Sequence, residues 1–236
     1  MSRQITAWRQ EYLTGGKTRI ESSYTLRPEP SVLWFHRQLR QQGLRLGKLL
    51  DLGCGRGRNS LVFLKHGWRV EGLDAAGEAL RDFKHLAGPL SAGLGLQQRD
   101  FKQPLPFPDR HFDAVMEITA ADNIADLRKR EKFWREICRV LKPGAYFFSY
   151  HFTPKDGYYG PLLKKSPDNS RGLLFDPRGH MTFRFYDVEE IIRAMRGQCT
   201  LCARQSYRYP GPMFGSIYQR DLIAALFKKT GDPHAA

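Results

Sequence analysis

The chain has no apolar run long enough to cross a bilayer, and its first stretch, Met1 to Tyr12, lacks the apolar core of a signal peptide. These two absences predict a soluble, cytoplasmic protein with no membrane partner. Cysteine is scarce: Cys54, Cys138, Cys199 and Cys202 fall in segments that read as strand, turn and helix, which argues against a disulfide-built fold. No repeat or low-complexity tract interrupts the 236 residues, so the length fits one α/β domain with additions. Acid is in deficit, with 24 Asp and Glu against 38 Lys and Arg and a formal net charge of +14. Such a surplus attracts anionic partners, nucleic acid among them. The basic residues are nevertheless spread along the chain rather than gathered in one tail.

What is present centres on Lys48 to Ser60. Leu49, Leu50 and Leu52 read as a buried parallel strand, and Gly53, Gly55 and Gly57 let the backbone turn tightly with nothing in the way of a ligand. Asn59 to Gly67 follows as a helix whose N-terminus offers free N–H groups to an anionic ligand group. A dinucleotide fingerprint would need its third glycine at position 58, where this chain has Arg58. Strands are predicted over Trp68 to Asp74, Gly93 to Gln98, Ala114 to Thr119 and Ala145 to Phe152, with helices over Ala79 to Ala87 and Leu127 to Leu141. This alternation predicts a mostly parallel sheet covered by helices, with its ligand beyond the carboxyl ends of the strands. Before it, Ile5 to Leu13 reads as a short helix ending at Gly15-Gly16, and Ser31 as the cap of a second helix running to Gly43.

The order and spacing of Gly53-x-Gly55-x-Gly57 after Asp51, Asp74 closing the next strand, Leu105-Pro-Phe107 with Phe112-Asp113, and Lys142-Pro-Gly144 resemble the class I S-adenosylmethionine-dependent methyltransferases. The resemblance implies a Rossmann-like, doubly wound α/β fold: a mostly parallel seven-stranded sheet, a C-terminal antiparallel strand pair and an N-terminal helical extension. It makes residues 48–236 the methyltransferase domain and residues 1–47 an extension that could cover the cofactor, with Trp8, Tyr12 and Gly15-Gly16 as candidate lid residues. S-adenosylmethionine is the implied cofactor. Gly53 and Gly55 would cradle its methionine part with Asp51 and Cys54 alongside, Asp74 and Ala75 would meet the ribose, and Asp100 and Phe101 the adenine. Glu117 and Ile118 would lie at the mouth where the methyl group sits.

Several of these residues have plainer readings. Asp74 could cap the following helix, and Asp100 could simply start a loop. Glu117 could line the pocket or take a substrate proton, or be a solvated charge at a strand end. Residues 153–186, rich in Pro, Gly, Asp, Lys and aromatics and with little periodicity before Met181, read as a substrate-binding insertion. Tyr150, His151, Asp156, Tyr158, Tyr159 and His180 are its polar and aromatic candidates, and His151 could serve as a base or merely pack. On the Leu127 to Leu141 helix, Arg128, Lys132, Arg135, Arg139 and Lys142 form a basic stripe that could meet RNA or remain a solvated face. Asp187-Val-Glu-Glu190 reads as a capping box, and Cys199 to Tyr209 with Ser216 to Lys229 as two strands joined by 210–215. Cys199-x-x-Cys202 in a strand puts its sulfurs on opposite faces with no second pair, so two buried thiols are expected and no metal.

A small-molecule methyltransferase is therefore the expected function, with a tRNA or rRNA methyltransferase and a non-catalytic S-adenosylmethionine-binding protein as alternatives. The sequence is silent on the acceptor, the atom methylated and the oligomeric state.

Overall fold

The computed structural model describes residues 3–14, 20 and 23–231. Seven strands form the main sheet: β1 (Lys48–Leu52), β2 (Arg69–Asp74), β3 (Leu94–Gln98), β4 (Phe112–Ile118), β5 (Leu141–Phe152), β8 (Cys199–Met213) and β9 (Ser216–Lys229). Their spatial order is β3-β2-β1-β4-β5-β9-β8. The first five run parallel, while β9 pairs antiparallel with both β5 and β8. From β1 the chain winds outward through β2 and β3, then returns to place β4 on the other side of β1. That reversal opens a crevice at the carboxyl ends of β1 and β4.

Period-two alternation assigns the strand side chains to two cores. Leu50 and Leu52 join the core under α5 (Leu127–Val140) and α7 (Val188–Ala194), with Phe133, Trp134, Ile137 and Ile191. Leu49 faces the opposite core under α2 (Pro30–Gln41), α3 (Ser60–Lys65) and α4 (Gly77–Ala87), with Phe35, Phe63 and Phe83. α7 carries half of the expected capping box, since the Asp187 carboxylate accepts from the Glu190 N–H.

The insertion after β5 is more ordered than its lack of periodicity suggested. It forms α6 (Tyr159–Lys165) and an antiparallel hairpin of β6 (Leu173–Asp176) and β7 (Met181–Arg184). Their third core joins Tyr158, Leu163, Phe183 and Met213. Segments this short bury side chains through tertiary contact, which leaves little repeat to read.

Other expectations shift for local reasons. Ser31 does not cap α2: it is buried inside the helix, Pro30 occupies the first turn, and Glu29 is the cap residue. Pro210 to Met213 belongs to β8 rather than to a loop, because β8 is the sheet's edge strand, where a proline's missing N–H breaks no ladder. Phe214 and Gly215, both at positive φ, make the two-residue hairpin turn. Of the Cys199-x-x-Cys202 pair only Cys199 is buried; Cys202 sits at a bulge and is exposed. Among the described residues no helix is long and apolar enough to cross a membrane.

Candidate functional site

The turn after β1 is held from beneath. The N–H groups of Gly53 and Cys54 both donate to the Leu73 carbonyl, at 2.8 and 3.2 Å, so the turn is fastened to the end of β2. Asp74 is the clasp. Its Oδ2 accepts from the Gly55 N–H and its Oδ1 from the Ala76 N–H, each at 2.9 Å. Burial raises the Asp74 pKa, and these backbone N–H groups oppose the shift by favouring the carboxylate. Each carboxylate oxygen keeps a lone pair for a further donor.

The glycines do separate work. Gly53 and Gly55 lie at φ +75° and +51° on the wall of a cavity, and a Cβ on Gly55 would stand 2.6 Å from the Tyr12 hydroxyl oxygen. Gly57, at φ +78°, instead faces the buried ring of Phe83. The cavity encloses about 960 Å³, counted with its open mouth. Its floor is Gly53 to Gly55, Asp74 to Ala76, Asp100, Phe101 and Ile118 to Ala120. Its roof comes from α1 (Arg3–Leu13), through Gln4, Ile5, Trp8 and Tyr12.

α1 is tied down specifically. Gln4 Nε2 and Trp8 Nε1 donate to Asn123 Oδ1 at 2.6 and 3.0 Å. Gln4 also exchanges bonds with the backbone of Thr182 on β7, and Arg9 pairs with Glu78 on α4 at 2.6 Å. Gly15 and Gly16 lie outside the described residues.

A second space, about 1490 Å³ with its mouth, adjoins the first. Trp8, Thr25, Arg58, Ile118 and Thr119 line both. Its far walls come from the insertion and the terminal hairpin, chiefly Phe152, Tyr159, Phe183, Tyr209, Met213, Arg220 and Leu222. At the join, Thr119 holds φ +55°, a costly conformation for a β-branched residue. Its N–H donates to the Tyr150 carbonyl at 2.7 Å.

Of the sequence candidates, Gly53, Cys54, Gly55, Asp74, Ala75, Asp100, Phe101, Ile118 and Tyr12 meet on the first cavity. Tyr159 lies on the second. The others stand elsewhere, each for a visible reason. Asp51 points beneath the turn, where Ser60 Oγ donates to it at 2.6 Å; burial pushes its pKa up to about 7. Glu117 is neither a cavity residue nor a solvated charge. Fully buried, it accepts from the N–H groups of Ala120 and Ala121 at 3.1 and 3.0 Å and from the hydroxyls of Ser149 and Tyr186. It therefore props the cavity wall from behind, and its burial raises its pKa. Asp156 is an interior ion-pair partner of Arg220, and its Oδ1 accepts from the N–H groups of Tyr158 and Tyr159 at the start of α6. Tyr158 is buried with its hydroxyl on Asp176, and His180 is exposed in the β6–β7 turn. Tyr150 is buried in the core of the α2 face.

His151 cannot reach a substrate without rearrangement. It is fully buried, stacked on Tyr186 with ring centroids 4.1 Å apart, and its Nε2 has no hydrogen-bond partner among the described residues. Burial, assisted by the nearby Arg130 charge, lowers its pKa to about 3. The ring is thus neutral in the fold and protonates in the unfolded chain near its ordinary 6.5. Stability from this group is present above that value and is lost as pH falls below it. Between pH 8 and pH 5 the loss is expected to be about 2 kcal/mol. Urea unfolding of wild type and His151→Phe at both pH values checks this: the variant should lose about 2 kcal/mol less. Equal losses would refute it, because the opposing contributions of Asp51 and Glu117 are common to both proteins.

The basic stripe of α5 is partly neutralised. Arg139 bonds Glu136 and Asp109 at 2.8 Å, Lys142 bonds Asp113 at 2.7 Å, and Arg135 lies 3.5 Å from Glu131. Arg130, which the stripe omitted, is fully buried between Glu190 and the Tyr186 ring. The sequence reading also missed Gln4, Thr25 and Asn123 on the first cavity, and Arg220, Tyr209 and Met213 on the second. No local motif marks them, because distant segments bring them together.

Residues 50–149 match the family model described as "Methyltransferase domain". A sterol 24-C-methyltransferase of Aspergillus fumigatus is 38% identical over 128 residues, covering 52% of this chain and 33% of that protein. The chain thus spans about a third of that relative's length. Among solved structures, a SAM-dependent methyltransferase of Methanosarcina mazei superposes with a TM-score of 0.68 at 20% identity, covering 87% of this chain and 100% of that one. A 1,6-didemethyltoxoflavin-N1-methyltransferase of Burkholderia thailandensis, solved with 1,6-didemethyltoxoflavin and S-adenosylhomocysteine bound, gives a TM-score of 0.66 at 18% identity over 95% of this chain and 88% of that one. At these identities the two structures speak for the fold.

Proposed function

We propose that the chain is a class I S-adenosylmethionine-dependent methyltransferase, an enzyme that uses this cofactor to methylate a small organic molecule. The observation that carries the reading is the pair of joined cavities: the more polar one built on the glycine turn and Asp74, opening at Ile118 and Thr119 into a larger, more apolar one.

The first cavity fits the cofactor by its own chemistry. Gly53 and Gly55 leave room where a side chain would intrude, and the remaining lone pairs of Asp74 suit the two hydroxyls of a ribose. Asp100 and Phe101, on the same floor, suit an adenine, with Phe101 offering an apolar ring face. Trp8 and Tyr12 on α1 form the lid. Bound there, S-adenosylmethionine supplies a methyl group already activated on a sulfonium and open to direct displacement. The protein's share is then alignment and exclusion of water. Ile118 and Thr119 shape the passage between the cavities, and among the described residues shared by both there is no carboxylate or histidine to act as base. The insertion and the terminal hairpin wall the acceptor side, and so set its specificity.

The relative named as a sterol methyltransferase favours a small acceptor over RNA. So does the partial neutralisation of the α5 stripe. Calorimetric titration with S-adenosylhomocysteine tests the reading: saturable one-to-one binding is expected, and no heat or thermal stabilisation from a folded protein would overturn it.

A further inference from the structure

The polar groups of the second cavity are unbalanced in a way that identifies its ligand. Its carboxylate is already spent: Glu29 Oε1 accepts from Arg58 Nη2 at 2.5 Å and Glu29 Oε2 from the Tyr209 hydroxyl at 3.0 Å. Asp156, just behind the wall, accepts from Arg220 and from the N–H groups of Tyr158, Tyr159 and Asp221. Donors remain. Arg220 is fixed by Asp156 through Nε at 2.8 Å and Nη2 at 3.4 Å, and its guanidinium lies 4.8 Å from the Phe152 ring centre and 5.7 Å from that of Tyr159. Its Nη1 and the Tyr159 hydroxyl have no hydrogen-bond partner among the described residues.

A buried guanidinium held rigid by one carboxylate, with one edge free toward a cavity of aromatic, proline and aliphatic walls, is preorganised for a single anionic group on an apolar body. We propose that the second cavity binds an amphipathic organic anion, with a carboxylate or sulfonate on the free edge of Arg220 and the Tyr159 hydroxyl, and an apolar body along Phe183, Met213 and Leu222 toward Ile118. Register separates this anchor from the join. Arg220 on β9 lies two residues from Leu222, which pairs with Phe152 on β5, whereas Ile118 on β4, two strands from β9, pairs with Tyr150. That offset is on the order of 10 Å, so the anion grips one end of the ligand while its other end reaches Thr119. Naming this ligand the methyl acceptor rests on the function proposed above; the anion site itself does not.

Fluorescence titration with 8-anilinonaphthalene-1-sulfonate and its uncharged counterpart N-phenyl-1-naphthylamine tests the site on the intact protein. The wild type is expected to bind the sulfonate about tenfold tighter than the neutral amine. The double variant Asp156→Asn/Arg220→Gln removes both charges together, and its affinities should fall within about twofold of each other. Tyr159→Phe, a conservative change that spares the ion pair, should weaken the sulfonate about threefold and leave the amine unchanged. Equal binding of the two dyes by wild type would overturn the proposal even where the double variant fails to fold, as would a preference that survives in a folded double variant. S-adenosylhomocysteine titration, run in parallel, keeps the two readings apart. Its failure beside an intact sulfonate preference would remove the methyltransferase reading and leave the anion site standing.

Discussion

Asp74→Ala is expected to weaken S-adenosylhomocysteine binding by at least about 100-fold while leaving the protein folded. Two separate losses combine. A charged acceptor shared by two ribose hydroxyls contributes on the order of 3 kcal/mol, and the Gly55 N–H that Asp74 holds at 2.9 Å is released, so the turn is no longer pinned. The cost to stability should be smaller, about 1 kcal/mol, the size of a lost helix-start cap at Ala76. Asp74→Asn separates the parts, since an amide can accept from one of the two N–H donors but presents its own NH2 to the other. An intermediate loss of roughly tenfold is expected from it. Affinity should also fall as pH falls, from a higher pH than an exposed aspartate would give, because burial raises the carboxyl's pKa and the neutral acid is the poorer acceptor. Calorimetry on the three proteins decides the matter: a loss confined to melting temperature, with affinity within about threefold of wild type, would reduce Asp74 to a cap.

The parts of the fold legible in the sequence were those whose cause is local. β1, its glycine turn and Asp74 lie within 27 residues, and alternation, glycine and a strand-end acid are each visible without tertiary context. Glu117, Asp51 and His151 were placed by position along a strand, and that was insufficient. In a sheet covered on both faces, the neighbouring residues Glu117 and Ile118 point to opposite sides, one into a buried network and the other to the cavity. Which face is which depends on the helices above it. Asp156 illustrates a second limit: a carboxylate in a loop rich in polar residues reads as a ligand, yet its partner is Arg220, 64 residues later on a strand that returns antiparallel. The acceptor walls depend on that return, so no stretch of sequence near the motif could have shown them.

Gly57→Ala is expected to lower stability by about 3–5 kcal/mol, and the melting temperature by roughly 10 °C, with little direct effect on cofactor affinity. The third glycine of the motif turns away from the cavity, and a Cβ there would run into the Phe83 ring. That ring is fully buried in the core with Leu80 and Val70, so it can yield only by disturbing its neighbours. To this overpacking is added the cost of a non-glycine residue at φ +78°, roughly 1–2 kcal/mol. Gly55→Ala shares the φ cost, at +51°, but its Cβ meets only the hydroxyl end of the half-buried Tyr12, which can move, so the stability loss is smaller and the main effect is a narrowed cavity and lower affinity. A Phe83→Leu change in the Gly57→Ala background should recover part of the loss by relieving the collision but not the φ cost, a coupling of about 1 kcal/mol or more in a double-mutant cycle. Were Gly57→Ala to abolish S-adenosylhomocysteine binding at an unchanged melting temperature, the third glycine would belong to the ligand after all, and the division of the motif into a binding half and a packing half would be wrong.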